Sequence, residues 1–205
     1  MSHDDRRGRL AALHPGASAT LELGCGPRRA VAESITVDAL DADCVDVVGD
    51  ALSALRSMPD ASAARVVSSH FLEHVDDLGA LMAECARVLE DGGRFEAAVP
   101  HFSNAYFYSD HTHRRPFGLY SFAYFARCEL FERAVPRYGD ALPFTVMSVE
   151  LGFDSPFPLR RAARRAFGAA VNSGRWAKEF YEENLTALVS CYELRAVLRR
   201  DPRAG

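Results

Sequence analysis

The chain has 205 residues, 48% apolar and 25% charged, with a formal net charge of −4. That is the profile of an ordinary globular protein with a sizeable core, and one domain over residues 1–205 is the expectation. Lys178 is the only lysine, and without a basic run the chain lacks the electrostatic footprint of a nucleic-acid binder.

After a polar start, Arg6–Leu13 reads as a short helix stopped by Pro15, within an N-terminal extension over residues 1–18. Thr20–Leu23 is β-leaning and runs into Gly24, Cys25 and Gly26, a strand followed by a tight turn. Ser34–Val37 and Cys44–Val48 are the next strands, closed by Asp38 and by Gly49–Asp50, and Ala64–Ser68 is a fourth. Asp77–Leu89 spaces Leu78, Leu81, Met82, Cys85, Val88 and Leu89 at helical intervals, and Asp91, Gly92 and Gly93 end it. Arg94–Val99 is a fifth strand, ending at Pro100.

Strands alternating with helices imply parallel βαβ units, hence an open α/β sheet with helices on both faces. Further on, Ser121–Ala126 reads as helix, and Glu129–Arg137 with Phe144–Phe153 as two strands pairing antiparallel at one edge. Leu159–Val171 and Ala177–Arg199 read as helices over a C-terminal segment 157–205, with Arg160, Arg161, Arg164 and Arg165 on an exposed helix face.

Five cysteines, an odd number without a CxxC pair, argue against a disulfide framework and a cysteine zinc site, and a reducing cytoplasm fits. The polar N-terminus and the lack of eighteen consecutive apolar residues argue against export and membrane insertion.

In an open α/β sheet, ligands bind beyond the carboxyl ends of the strands. Gly24 and Gly26 let the backbone turn sharply and bring a ligand close to main-chain N–H groups. Glu22 lies just inside the strand; Asp38 is placed to accept both hydroxyls of a ribose. Asp50 is placed for an adenine amine, with Ser69 and His70 beside the purine or a sulfonium tail. A nicotinamide site fits poorly: Gly24-Cys25-Gly26-Pro27-Arg28-Arg29 has no third glycine, Pro27 removes an N–H, and Asp38 follows Gly24 too soon.

The run Leu21-Glu22-Leu23-Gly24-Cys25-Gly26-Pro27 resembles the first motif of class I S-adenosylmethionine-dependent methyltransferases, in a compact type-11-like branch. Ser68-Ser69-His70-Phe71-Leu72-Glu73-His74-Val75, then Arg87-Val88-Leu89-Glu90-Asp91-Gly92-Gly93, is similar to two later segments of that family. The resemblance implies a Rossmann-like fold: a seven-stranded, mostly parallel sheet with an antiparallel edge hairpin. It also implies S-adenosylmethionine as cofactor, bound by Glu22, Gly24, Cys25, Gly26, Pro27, Asp38, Ala39, Asp50, Ala51, Ser69 and His70. Only Pro27–Ser34 separates the turn from the next strand, so the first crossover helix must be very short or irregular.

Methyl transfer needs in-line positioning of a nucleophile and, for a hydroxyl or amine, removal of its proton, for which histidine is suited near neutral pH. The loop after the fifth strand, within residues 101–126, projects over the cofactor rim. His101, Asp110 and His113, with His74 behind them, are the candidates for acceptor contact and proton removal. The alternative is that Asp110 and the histidines brace a long loop. A metal held by His101, Asp110, His111 and His113 matches no ligand spacing, and none is expected. The function expected is methyl transfer to a small molecule such as a sugar or secondary metabolite. The alternative is a non-catalytic cofactor-binding or regulatory module of the same fold. Oligomeric state is open.

Overall fold

A computed structural model describes residues 3–136, 138 and 142–203. Among the described residues eight strands form one sheet in the order β1-β4-β3-β2-β5-β6-β8-β7. These are β1 (His3–Asp5), β2 (Ala19–Leu23), β3 (Ile35–Asp38), β4 (Val47–Gly49), β5 (Ala63–Ser69), β6 (Leu89–Pro100), β7 (Phe144–Gly152) and β8 (Glu193–Arg200). The strands from β4 to β6 pair in parallel, whereas β1 on β4, β8 on β6 and β7 on β8 are antiparallel. Four helices accompany them: α1 (Ala51–Ser57), α2 (Leu78–Val88), α3 (Pro158–Val171) and α4 (Arg175–Asn184). This is a Rossmann-like α/β architecture with one strand more than the seven expected.

The extra strand is β1. The expected helix at Arg6–Leu13 is instead a series of turns, because the Asp5 carboxylate collects the N–H groups of Arg9, Leu10 and Ala11 and winds the backbone around itself. Among residues 129–136 no strand forms, and Arg137 lies outside the described residues. The edge partner of β7 is β8, within the stretch expected to be helix up to Arg199. There Leu194, Ala196 and Leu198 are buried while Arg195 and Arg199 are exposed, the period-2 alternation of a half-buried strand. The 157–205 segment is therefore two helices and a strand, and Ser121–Tyr124 is a single 3-10 turn.

Strand pairing puts Leu21, Leu23, Val37, Val66, Phe95, Ala97, Leu194, Ala196 and Leu198 on one face. They share a single apolar cluster with Leu55 of α1, Leu81, Met82 and Cys85 of α2, and Tyr181 of α4. Asp50 and Asp77 start α1 and α2 by accepting the N–H groups of Ser53 and Ala80 at 2.8 and 2.9 Å. The opposite face does not carry the expected helices. Gly24–Ser34 and Ala39–Asp46, the crossovers that would supply them, contain none. Between β5 and β7 this face shows Arg65, Ser69, Glu96, Glu150 and Arg195 to solvent, with Arg65 gripping Glu96 at 2.8 and 2.6 Å.

In place of those helices, the far end of this face is closed by one carboxylate. Asp46 is fully buried and accepts from Arg7, Arg9 and Arg29 at 2.7–2.9 Å and from the Thr36 N–H at 3.1 Å. Burial opposes its charge, but the Thr36 N–H and the guanidinium groups of Arg29 and Arg9 outweigh burial and hold its carboxyl below the usual carboxylate range.

Two stability measurements test this architecture. Leu198→Ala is expected to cost about 2–5 kcal/mol in urea unfolding, while Val197→Lys, one residue away on the open face, changes stability by no more than about 0.5 kcal/mol. Asp46→Asn strands three guanidinium groups and costs roughly 3 kcal/mol. Because the folded-state pKa of Asp46 is depressed, its contribution is complete above the unfolded value and lost as pH falls through the folded one. The Asn variant should show a correspondingly shallower acid limb.

Candidate active site

Parallel pairing aligns the C-terminal ends of β4, β3, β2 and β5 along one rim, carrying in that order Asp50, Asp38, the Gly24 turn and His70. Gly24 and Gly26 adopt φ of +69° and +60°, the left-handed region where a side chain is strained. At Gly24 closeness adds to this, since a Cβ would stand 2.3 Å from Cβ of Phe71. Gly26 opens onto free space and donates its N–H to Oδ2 of Asp38 at 2.7 Å. Asp38 Oδ1 takes the Leu40 N–H, also at 2.7 Å, so the carboxylate is oriented at two points and stays partly exposed.

The other expected cofactor residues distribute unevenly. Glu22 is 5% exposed, and its oxygens accept from the N–H groups of Ala30 and Val31 and from Ser34 Oγ. It shapes the helix-free crossover from inside. Asp50 is occupied as the cap of α1 and Ala51 is buried as its first residue. Cys25 is half-buried, with its thiol pushed up to about 12 mainly by burial, while Pro27, Ala39 and Ser69 are exposed. Exposed rim, open Gly26 and oriented Asp38 fit a nucleoside bearing hydroxyls; the Phe71 ring lies over the first glycine.

His70 has φ of +51°, which turns its ring across the rim. Its Nε2 is 3.3 Å from Glu193 and its Nδ1 3.6 Å from Glu73. Glu193 first and then Glu73 push its pKa up to about 9, so it is an imidazolium at neutral pH.

Beyond it, the 3-10 turn Leu72–His74 meets the loop that follows β6. His113 Nδ1 lies 2.9 Å from the Phe107 carbonyl, which only accepts, so Nδ1 carries the proton and Nε2 is left as an acceptor. That Nε2 is 3.6 Å from Asp110 Oδ2 and 4.0 Å from Glu73 Oε1. Thr112 Oγ donates to Asp110 at 2.6 Å and, its proton spent, accepts from His74 Nδ1 at 2.9 Å. Asp110 is held below its usual range by these Thr112 bonds. Three of the four candidate catalytic residues, His74, Asp110 and His113, thus stand together.

His101 does not join them. It is fully buried, with Nδ1 2.8 Å from Ser103 Oγ and Nε2 2.9 Å from Glu182, and ties the loop to α4. His111 is exposed. Glu73, Phe71, Thr112 and Glu193 escaped sequence reasoning as site residues. Glu73 lay within the quoted His70–Val75 run, whereas nothing local marks Glu193, which arrives from the far end of the chain.

Residues 21–97 match the family model of a methyltransferase domain. No curated protein matches the chain. Among solved structures, an S-adenosylmethionine-dependent methyltransferase from Archaeoglobus fulgidus is similar over 93% of this chain and 90% of its own, at 18% identity and a TM-score of 0.55. A phosphoethanolamine N-methyltransferase of Haemonchus contortus, solved with phosphomonomethylethanolamine and S-adenosylhomocysteine, aligns with 97% of this chain and 52% of its own. Its identity is 14% and its TM-score 0.51. The [4+2]-cyclase SpnF shares the fold at 19% identity and a TM-score of 0.51, over 96% of this chain and 78% of its own. The structures share the architecture, and the matched model supplies the chemistry of the glycine-turn half. Over residues 21–97 the chain is similar to a methyltransferase domain, and across nearly its whole length it has the fold of the S-adenosylmethionine-dependent methyltransferases it resembles.

Proposed function

We propose that this chain is a class I S-adenosylmethionine-dependent methyltransferase that moves the methyl group to a hydroxyl or amine of a small molecule, a sugar or secondary metabolite, over a single domain spanning residues 1–205. The observation that supports this reading is the cluster of His74, Asp110 and His113 beside the cofactor rim. S-adenosylmethionine brings an already activated methyl group. The protein's own share is to hold the donor, align the acceptor and receive its proton.

Asp38 orients the ribose, Gly26 leaves room for it, and Asp50 and Ser69 flank the base, while Glu22 keeps the turn in shape from within. The His113–Asp110 pair receives the acceptor's proton. His101 anchors the loop of residues 101–126 to α4 and so positions that pair. The net negative charge and single lysine favour a small acceptor over nucleic acid. Among the described residues no helix is long and apolar enough to cross a membrane. With cysteines scattered and unpaired in the structure, a cytoplasmic setting is the natural one.

Calorimetry with S-adenosylhomocysteine tests the donor half. Asp38→Ala and Asp38→Asn should each weaken binding about 10–100-fold, the worth of one or two hydrogen bonds to a charged group, and unchanged affinity would rule out the ribose assignment. For the acceptor half, His113→Ala should lower kcat about 10²–10⁴-fold on a methylated sugar or metabolite found by substrate screening. Its affinity for S-adenosylhomocysteine should stay that of the parent; a loss there instead would remove His113 from the acceptor side.

A further inference from the structure

We propose that Glu73, His74 and His113 form a binding site for a divalent transition-metal ion of the zinc or iron class. Glu73 is wholly buried, and both of its carboxylate oxygens are enclosed without a hydrogen-bond partner among the described residues. A buried carboxylate without donors is costly unless a cation or proton meets it. The His70 imidazolium faces Oε1 with its Nδ1 3.6 Å away, too long for a hydrogen bond, and Oε2 is left unmet; the two other rings beside the carboxylate do not supply a proton by the bonds they make. His113 spends its Nδ1 proton on the Phe107 carbonyl and His74 spends its own on Thr112 Oγ, so each ring keeps an Nε2 lone pair. The two imidazoles and the carboxylate converge, with one ligand atom from each residue within 4.8 Å of the others.

Two imidazoles and one carboxylate suit zinc and ferrous iron. Ligand atoms around a tetrahedral ion stand about 3.3–3.4 Å apart at bonds of about 2.0–2.1 Å, so the 4.0 Å from His113 Nε2 to Glu73 Oε1 closes by several tenths of an ångström when the ion enters. The outer partners also belong to a metal centre. The Phe107 carbonyl and the Thr112–Asp110 relay orient the two rings, as carbonyls and carboxylates do behind ligating histidines. His70 is not a fourth ligand: its Nε2 is engaged with Glu193, and its Nδ1 faces Glu73 as a charged neighbour. Three ligands leave positions for water or for an oxygen of the acceptor. The site thus deepens the methyl-transfer reading, resting on it for its use but not for its existence: with the ion bound, His113 Nε2 is a ligand, and Asp110, outside the three, takes the acceptor's proton alone.

The test uses the full chain without a histidine tag, stripped with a chelator and titrated with zinc chloride by calorimetry, then with cobalt(II) to read visible d–d absorption. No methyl donor or acceptor is present. One equivalent should bind. Glu73→Gln and His113→Ala should weaken binding by more than the roughly 10–100-fold expected of the outer-partner variant Thr112→Val, while His14→Ala, at an exposed histidine elsewhere, binds as the parent does. Absence of saturable binding, or Glu73→Gln binding zinc as tightly as the parent, overturns the site. So does a Glu73→Gln variant whose melting temperature exceeds the parent's at every zinc concentration, since Glu73 would then have held a proton. Heat from S-adenosylhomocysteine without heat from zinc defeats the ion alone. Heat from zinc without heat from S-adenosylhomocysteine defeats the donor reading and leaves the ion standing.

Discussion

Everything at the cofactor rim depends on the buried carboxylate of Asp46. The strand β3 is flanked by two crossovers that carry no helix, so apolar packing cannot close that side of the sheet. A charge does so instead. Asp46 draws Arg29 in from the glycine-turn crossover, Arg7 and Arg9 from the N-terminal segment, and the backbone of Thr36 from β3 itself. Removing the carboxylate from water is offset because both of its oxygens are bonded, by three guanidinium groups and one backbone N–H. Glu22 acts in the same manner one strand away, gathering Ala30, Val31 and Ser34. Two acidic side chains are therefore part of the wall, whereas Asp38 stays partly exposed at the rim.

The consequence is that the two halves of the proposed site, one for the nucleoside and one for the acceptor, are built differently. The nucleoside half is backbone geometry at positive φ with one oriented carboxylate. The acceptor half is a set of side chains from the tip of β5 and the loop after β6, joined by the Asp110–Thr112–His74 relay and by the bond from His113 to Phe107. Both halves meet at His70, whose strained backbone and two carboxylate neighbours make it a fixed positive charge between them. With helices on one face only, the sheet's other face is a polar surface of arginine and glutamate, and the stability of the chain rests on one apolar layer.

The sequence alone determined what depends on near neighbours in the chain. The strand-turn run through Gly24 to Gly26, the acidic ends of the next strands and the helical spacing of Leu78 to Val88 are local patterns, and each appears where periodicity placed it. So does the gathering of His74, Asp110 and His113, because parallel strands carry their trailing loops to one rim. Local pattern misled at Glu193–Arg200, where alternating arginines and apolar residues were absorbed into a helix that stops at Asn184, and at residues 129–136, whose apolar run forms no strand. Pairing over long separations was decided only in the tertiary structure, since β7 chooses between partners by burial and not by proximity in sequence. Burial also decided the fate of ionisable groups of the same type: Glu22 and Asp46 were turned inward, His101 was locked against Glu182, and Glu73 was enclosed without a hydrogen bond. A side chain's charge is written in the sequence, but what faces that charge is settled only when distant segments pack around it.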